Sequence, residues 1–169
     1  MAPVSIELAT PEDTMDFGRR LGGWLRPGDL VLLAGPLGAG KTTLTRGIAE
    51  GLGVSGRVSS PTFVLARTHP AGSSGVALLH VDAYRLGGDL AQLDDLDLDT
   101  DLEGAAVVAE WGEGVAERLS EDHLVVRLER REDDARLLWL EPHGTWYDRL
   151  PPDLREPASG PARQTDSRR

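Results

Sequence analysis

The sequence predicts an α/β fold with a mostly parallel central sheet, helices on both faces and an antiparallel hairpin near the C-terminus. Three observations carry that prediction. Leu30–Ala34 and Ala105–Ala109 are continuous apolar runs, the pattern of parallel strands buried on both faces. A glycine-rich segment follows the first run and leads into Leu44, Ile48 and Leu52, which fall on one face at helical spacing. Further on, Leu124, Val126 and Leu128 alternate with Val125, Arg127 and Glu129, and Arg136–Leu140 follows a polar turn, as in a hairpin with one wet face.

The elements can be justified in order. Val4–Leu8 reads as a short strand. Thr10 has the chemistry of an N-cap, with Pro11 at the first helical position and Asp13 facing back toward the cap. Phe17, Leu21, Trp24 and Leu25 continue at helical spacing until Arg26-Pro27-Gly28 stops the helix, so Phe17 and Trp24 are expected in the core. Gly53 closes the second helix. Phe63–Arg67 and Val76–Val81 are strand candidates joined by a soft loop over Thr68–Gly75, and Trp139 is expected to pack inside the last strand. Residues 1–150 are read as one domain and 151–169, rich in proline and charge, as a disordered tail.

Composition narrows the function. With 169 residues and 40% hydrophobic side chains, the chain can build a real core. It has no cysteine, which excludes a disulfide scaffold, a thiolate metal site and a cysteine nucleophile. A net charge of −10 disfavours a broad nucleic-acid-binding face. No apolar run approaches the ~20 residues of a membrane span, and the opening residues do not form a signal peptide, so a soluble cytoplasmic protein is expected. Basic side chains comprise seventeen arginines and one lysine, Lys41, inside Gly35-Pro-Leu-Gly-Ala-Gly-Lys-Thr-Thr43. A thin ammonium stem threads between backbone amides where a planar guanidinium does not.

That segment fits G-x-x-x-x-G-K-[ST], the P-loop, and makes the fold class a P-loop NTPase-type sandwich. Glycines at Gly35, Gly38 and Gly40 let backbone N–H groups curl around a phosphate, and the helix beginning at Lys41 points its positive end at the same anion. Lys41 would reach the β- and γ-phosphate oxygens, and the Thr42 hydroxyl would ligate Mg²⁺. Such sites also use an acid at the end of a neighbouring apolar strand. Asp82, after Ala77–Val81, and Glu110, after Ala105–Ala109, both qualify, and spacing alone does not rank them.

The P-loop together with Ser60-Pro-Thr-Phe63, His80-Val-Asp-Ala-Tyr-Arg-Leu86 and Glu110-Trp111 resembles the TsaE (YjeE) family, small ATPases of bacterial tRNA modification. The resemblance spans about Thr10 to Glu141. It implies an ATP/ADP site in which Gly38–Thr43 wraps the phosphates and Thr42 and Glu110 attend Mg²⁺. It further implies that Asp82 supports hydrolysis near the γ-phosphate, that Thr62 lies on a segment sensing that phosphate, that residues near Pro11 border the base, and that Trp111 packs by the site. Members of the family act with TsaD and TsaB proteins in forming threonylcarbamoyladenosine in tRNA, so tRNA would be met only through the complex. Pro36, where an acid is common, and Gly112, where proline is common, depart from the family pattern without removing a phosphate or metal ligand.

Several other features have plain readings. His80 is expected to pack or hydrogen-bond at a strand end, and Arg85 to reach phosphate, brace Asp82 or form a structural ion pair. Arg136, just past the hairpin turn, is close enough in sequence logic to approach the nucleotide. Asp89–Glu103 carries seven acids and no base, the pattern of a solvated amphipathic segment or of a docking surface for a partner. Two rival functions remain at this level: a small-molecule kinase of the same superfamily, and a non-hydrolytic nucleotide-gated binding module.

Overall fold

A computed structural model describes residues 4–36, 39–54, 66–82, 104–110 and 122–154. In chain order the elements are β1 (Val4–Leu8), α1 (Pro11–Gly22), β2 (Leu30–Ala34), α2 (Lys41–Leu52), β3 (Ala66–His69), β4 (Ala77–Asp82), β5 (Ala105–Glu110), β6 (His123–Arg130), β7 (Arg136–His143) and α3 (Trp146–Arg149), followed by a 3₁₀ turn at Pro152–Leu154. The strands form one sheet in the order β1-β7-β6-β2-β5-β4-β3. Its centre is parallel (β6–β2, β2–β5 and β5–β4), and both edges are antiparallel. The sheet is therefore mixed, parallel only where the apolar runs predict burial.

Register sets what each face carries. Val31 of β2 lies opposite Val108 and Leu124, and Leu33 opposite Glu110 and Val126. These apolar residues join Leu21, Leu44, Ile48 and Leu52 of the two long helices in one core, so α1 and α2 cover the same face. Leu30, Leu32, Val107 and Val125 on the alternate positions are also buried. The helices expected over that second face fall outside the described residues.

Local chemistry explains where α1 begins and ends. The Thr10 hydroxyl accepts from Asp13 N–H at 3.1 Å, and Asp13 Oδ2 accepts from Thr10 N–H at 3.2 Å, a reciprocal cap. The helix ends at Gly22, three residues before the apolar pattern does. Trp24 nevertheless stays against Phe17, their rings edge to face at 6.1 Å. Glycines then set how closely α1 and α2 pack. A Cβ on Gly18 would come within 2.9 Å of the Gly47 Cα, and one on Gly22 would meet Gly51 Cα at 3.0 Å, so neither helix tolerates a side chain at the crossing.

Three expectations shift. The β3 strand runs to His69, two residues into the loop expected from Thr68, and residues 63–65 lie outside the described set. Trp139 is half-buried and not fully inside: its register partner is Arg127, on the hairpin's wetter face. Packing also continues past Pro151, the expected start of the tail. Trp146, Leu150 and Leu154 are buried in the core, and Arg20 pairs with Asp153 at 3.0 Å. Arg149 forms a bidentate pair with Asp29 at 2.7 Å per bond, donates to Trp24 O at 2.9 Å and lies 4.0 Å over the Trp146 ring. Residues 155–169 fall outside the described set.

Candidate phosphate-binding site

The site is assembled at the carboxyl ends of the central parallel strands. β2 is buried throughout and runs directly into Gly35 and Pro36. Ala39 N–H donates to Pro36 O at 3.1 Å, and Gly40 has φ 107°, a left-handed conformation that lets the chain turn straight into α2. The first turn of α2 contains no acid of its own to offset the positive end of the helix dipole. Lys41 folds back along the loop, its Nζ donating to Gly35 O at 2.6 Å and to Pro36 O at 3.1 Å. An ammonium held on loop carbonyls stands where an anion entering the loop would meet it. Thr42 and Thr43 follow in the same turn, both half-buried.

Two elements brace this loop. Arg136, at the start of β7, donates from Nε to Ala39 O at 2.9 Å and through its NH1 nitrogen to Asp134 O at 2.6 Å. It grips the loop backbone, which fixes the Ala39 carbonyl on the side facing β7. From α1, Thr14 is buried, and its methyl would stand 3.9 Å from a Cβ on Gly40. Sequence reasoning did not single out Thr14. The available signal was its position one turn ahead of Phe17 on the apolar stripe, where a hydroxyl is out of place. Pro11 sits exposed at the beginning of the same helix.

Glu110 ends β5, only 8% exposed, in register with Leu33 on one side and Asp82 on the other. Its Oε2 lies 2.6 Å from Nε2 of the fully buried His80. The expected strand-end hydrogen bond of His80 thus has a named partner. Asp82 ends β4 beside Glu110, described by its backbone. Gly38, Thr62 and Trp111 lie outside the described residues. The structure therefore brings together Gly35, Ala39, Gly40, Lys41, Thr42, Thr43, Arg136 and the strand end that carries Glu110.

Among the described residues no group of three or more His, Asp or Glu side chains could hold a metal by itself. Mg²⁺ keeps waters and takes one or two protein oxygens together with substrate phosphates, and the Thr42 hydroxyl and Glu110 carboxylate are oxygen donors of that kind. Thr42 and Glu110 are the residues that would attend it.

The sequence matches the family described as threonylcarbamoyl adenosine biosynthesis protein TsaE over residues 8–138. The chain belongs to the TsaE family. Among similar proteins, the TsaE named as a tRNA threonylcarbamoyladenosine biosynthesis protein from Streptomyces coelicolor is 59% identical over 119 residues, covering 70% of this chain and 80% of that one. Its counterpart from Bacillus subtilis is 36% identical over 145 residues, covering 85% and 89%. A crystal structure of Bacillus subtilis YdiB superposes with a TM-score of 0.71 at 30% identity, covering 87% of this chain and 90% of that one. The stretch matched to the TsaE family contains α1, β2, the loop, α2, β4 and β5, and the start of β7 with Arg136. Among the described residues no helix is long and apolar enough to cross a membrane.

Proposed function

We propose that this chain binds ATP with Mg²⁺ at the Gly35–Thr43 loop, hydrolyses it slowly, and serves as an accessory subunit in forming threonylcarbamoyladenosine in tRNA, working with TsaD- and TsaB-type proteins. The observation that carries the reading is the Lys41 ammonium on the Gly35 and Pro36 carbonyls, directly after a buried strand and at the open end of α2. The names of the relatives supply the pathway.

In this reading the backbone amides of the loop and of the first turn of α2 bind the β- and γ-phosphates, and Lys41 leaves its loop carbonyls to meet them. When bound, Mg²⁺ would neutralise charge developing on the transferred phosphoryl group. Thr42 and Glu110 orient around it, and Asp82, beside Glu110 in the sheet, is the residue we assign to support of hydrolysis. Catalysis is electrostatic and positional, because phosphoryl transfer asks little covalent chemistry of the protein. The net charge of −10 leaves tRNA binding to the partners.

The test is phosphate release from ATP by the purified chain alone and with TsaD- and TsaB-type proteins added. Slow release alone and faster release in the mixture is expected. Rapid transfer of phosphate to a small-molecule acceptor without partners would favour a kinase instead.

A further inference from the structure

His80 and Glu110 form a buried pair that phosphate binding alone does not require. His80 is opposite Val108 in the β4–β5 register, two residues before Glu110, so the imidazole reaches diagonally across adjacent strands to the carboxylate. The 2.6 Å contact is between a side chain with no exposure and one that is 11% exposed. A carboxylate so enclosed needs a donor, and the His80 Nε2–H supplies it. With the proton on Nε2, Nδ1 is left as an acceptor, and among the described residues it has no hydrogen-bond partner. The polar capacity of this histidine is directed at one atom, Glu110 Oε2. A residue needed only to fill the core would be better served by leucine or methionine, which leave no nitrogen unpaired.

We infer that His80 is a positioning residue: by holding Glu110 Oε2 it fixes the carboxylate's rotamer and presents Oε1 at the end of β5, toward the cation that accompanies the nucleotide. This rests on the assignment of Glu110 to Mg²⁺ given above. The hydrogen bond does for a carboxylate what outer partners commonly do for metal-binding side chains, removing rotational freedom before the ion arrives. The consequence is selective. Lys41 and the loop amides bind phosphate without His80, so its loss weakens the contribution of Mg²⁺ and leaves metal-free nucleotide binding intact.

The test is calorimetric titration of the full chain with ADP, first in EDTA and then across a Mg²⁺ series, for wild type, His80→Leu and His80→Gln. The glutamine amide places an N–H near the position of Nε2. In EDTA, His80→Leu is expected to bind ADP within about twofold of wild type, while the Mg²⁺ needed for half-maximal tightening rises about tenfold. His80→Gln is expected to return that requirement to within about threefold of wild type. An unchanged Mg²⁺ requirement in His80→Leu, or no recovery in His80→Gln, overturns the inference. If the leucine variant does not fold, His80→Asn, whose shorter amide cannot reach Glu110, replaces it in the same comparison. Wild-type ADP binding indifferent to Mg²⁺ would overturn the assignment of Glu110 and this inference with it. A wild-type response to Mg²⁺ that His80→Leu shares unchanged removes only the role of His80.

Discussion

Gly47→Ala tests the packing that holds α1 against the phosphate-binding helix. A Cβ at Gly47 would lie 2.9 Å from the Gly18 Cα and 3.1 Å from the Arg19 nitrogen, and closer still to the Met15 carbonyl oxygen. All three neighbours are backbone, so no side chain can swing aside, and the helices must separate. Overpacking of this kind costs about 3 kcal/mol, the upper end of its usual range, because the obstruction is rigid. Alanine regains about 1 kcal/mol of helix propensity, leaving a net loss of about 2 kcal/mol. In urea unfolding that corresponds to a midpoint lower by about 1 M, with unchanged slope. Gly23→Ala is the control. Its Cβ would meet Arg20 O at 3.4 Å, and its φ of −69° suits any residue, so its midpoint should stay put or rise slightly. A Gly47→Ala protein as stable as wild type, or more so, would refute the close-packing argument.

Two further substitutions separate stability from binding. Arg149→Met removes the guanidinium that Asp29 holds in two bonds at a site where both side chains are largely enclosed; unfolding should show a loss of about 3 kcal/mol, with part of it recovered in the Arg149→Met/Asp29→Asn double variant. Arg136→Met releases the Ala39 carbonyl from its brace, and ADP affinity measured by calorimetry should fall about tenfold, equivalent to about 1.4 kcal/mol.

What the sequence made legible was local. Thr10, Pro11 and Asp13 specify a helix start through contacts three residues apart, and the cap forms as written. Leu30–Ala34 and the glycine–lysine–threonine run specify a buried strand, a turn and a helix in immediate succession, and the strand and the helix appear at their expected places. What was hidden depends on partners distant in the chain. Gly18, Gly22, Gly47 and Gly51 each look like a weakness in a helix until the two helices are crossed. His80 and Glu110 are 30 residues apart, and only the sheet register makes them neighbours.

The same limit accounts for the smaller differences. Leu154 is a single large apolar residue in a polar stretch, which gives periodicity nothing to detect, yet it is buried with the core. Trp139 sits on the hairpin's second strand, where Arg-Leu-Leu-Trp-Leu does not alternate, and which face was drier depended on what lay across from it. Arg136 was expected near the nucleotide and stands at the loop; its grip on a backbone carbonyl could not be read from its place in the chain.

The measurement that bears most directly on the account is calorimetric titration of the purified chain with ADP and Mg²⁺, beside Lys41→Ala. The account predicts saturable heat with one site per chain for the wild type and none for the variant. Absence of saturable heat in the wild type, or its persistence without the Lys41 ammonium, would contradict it.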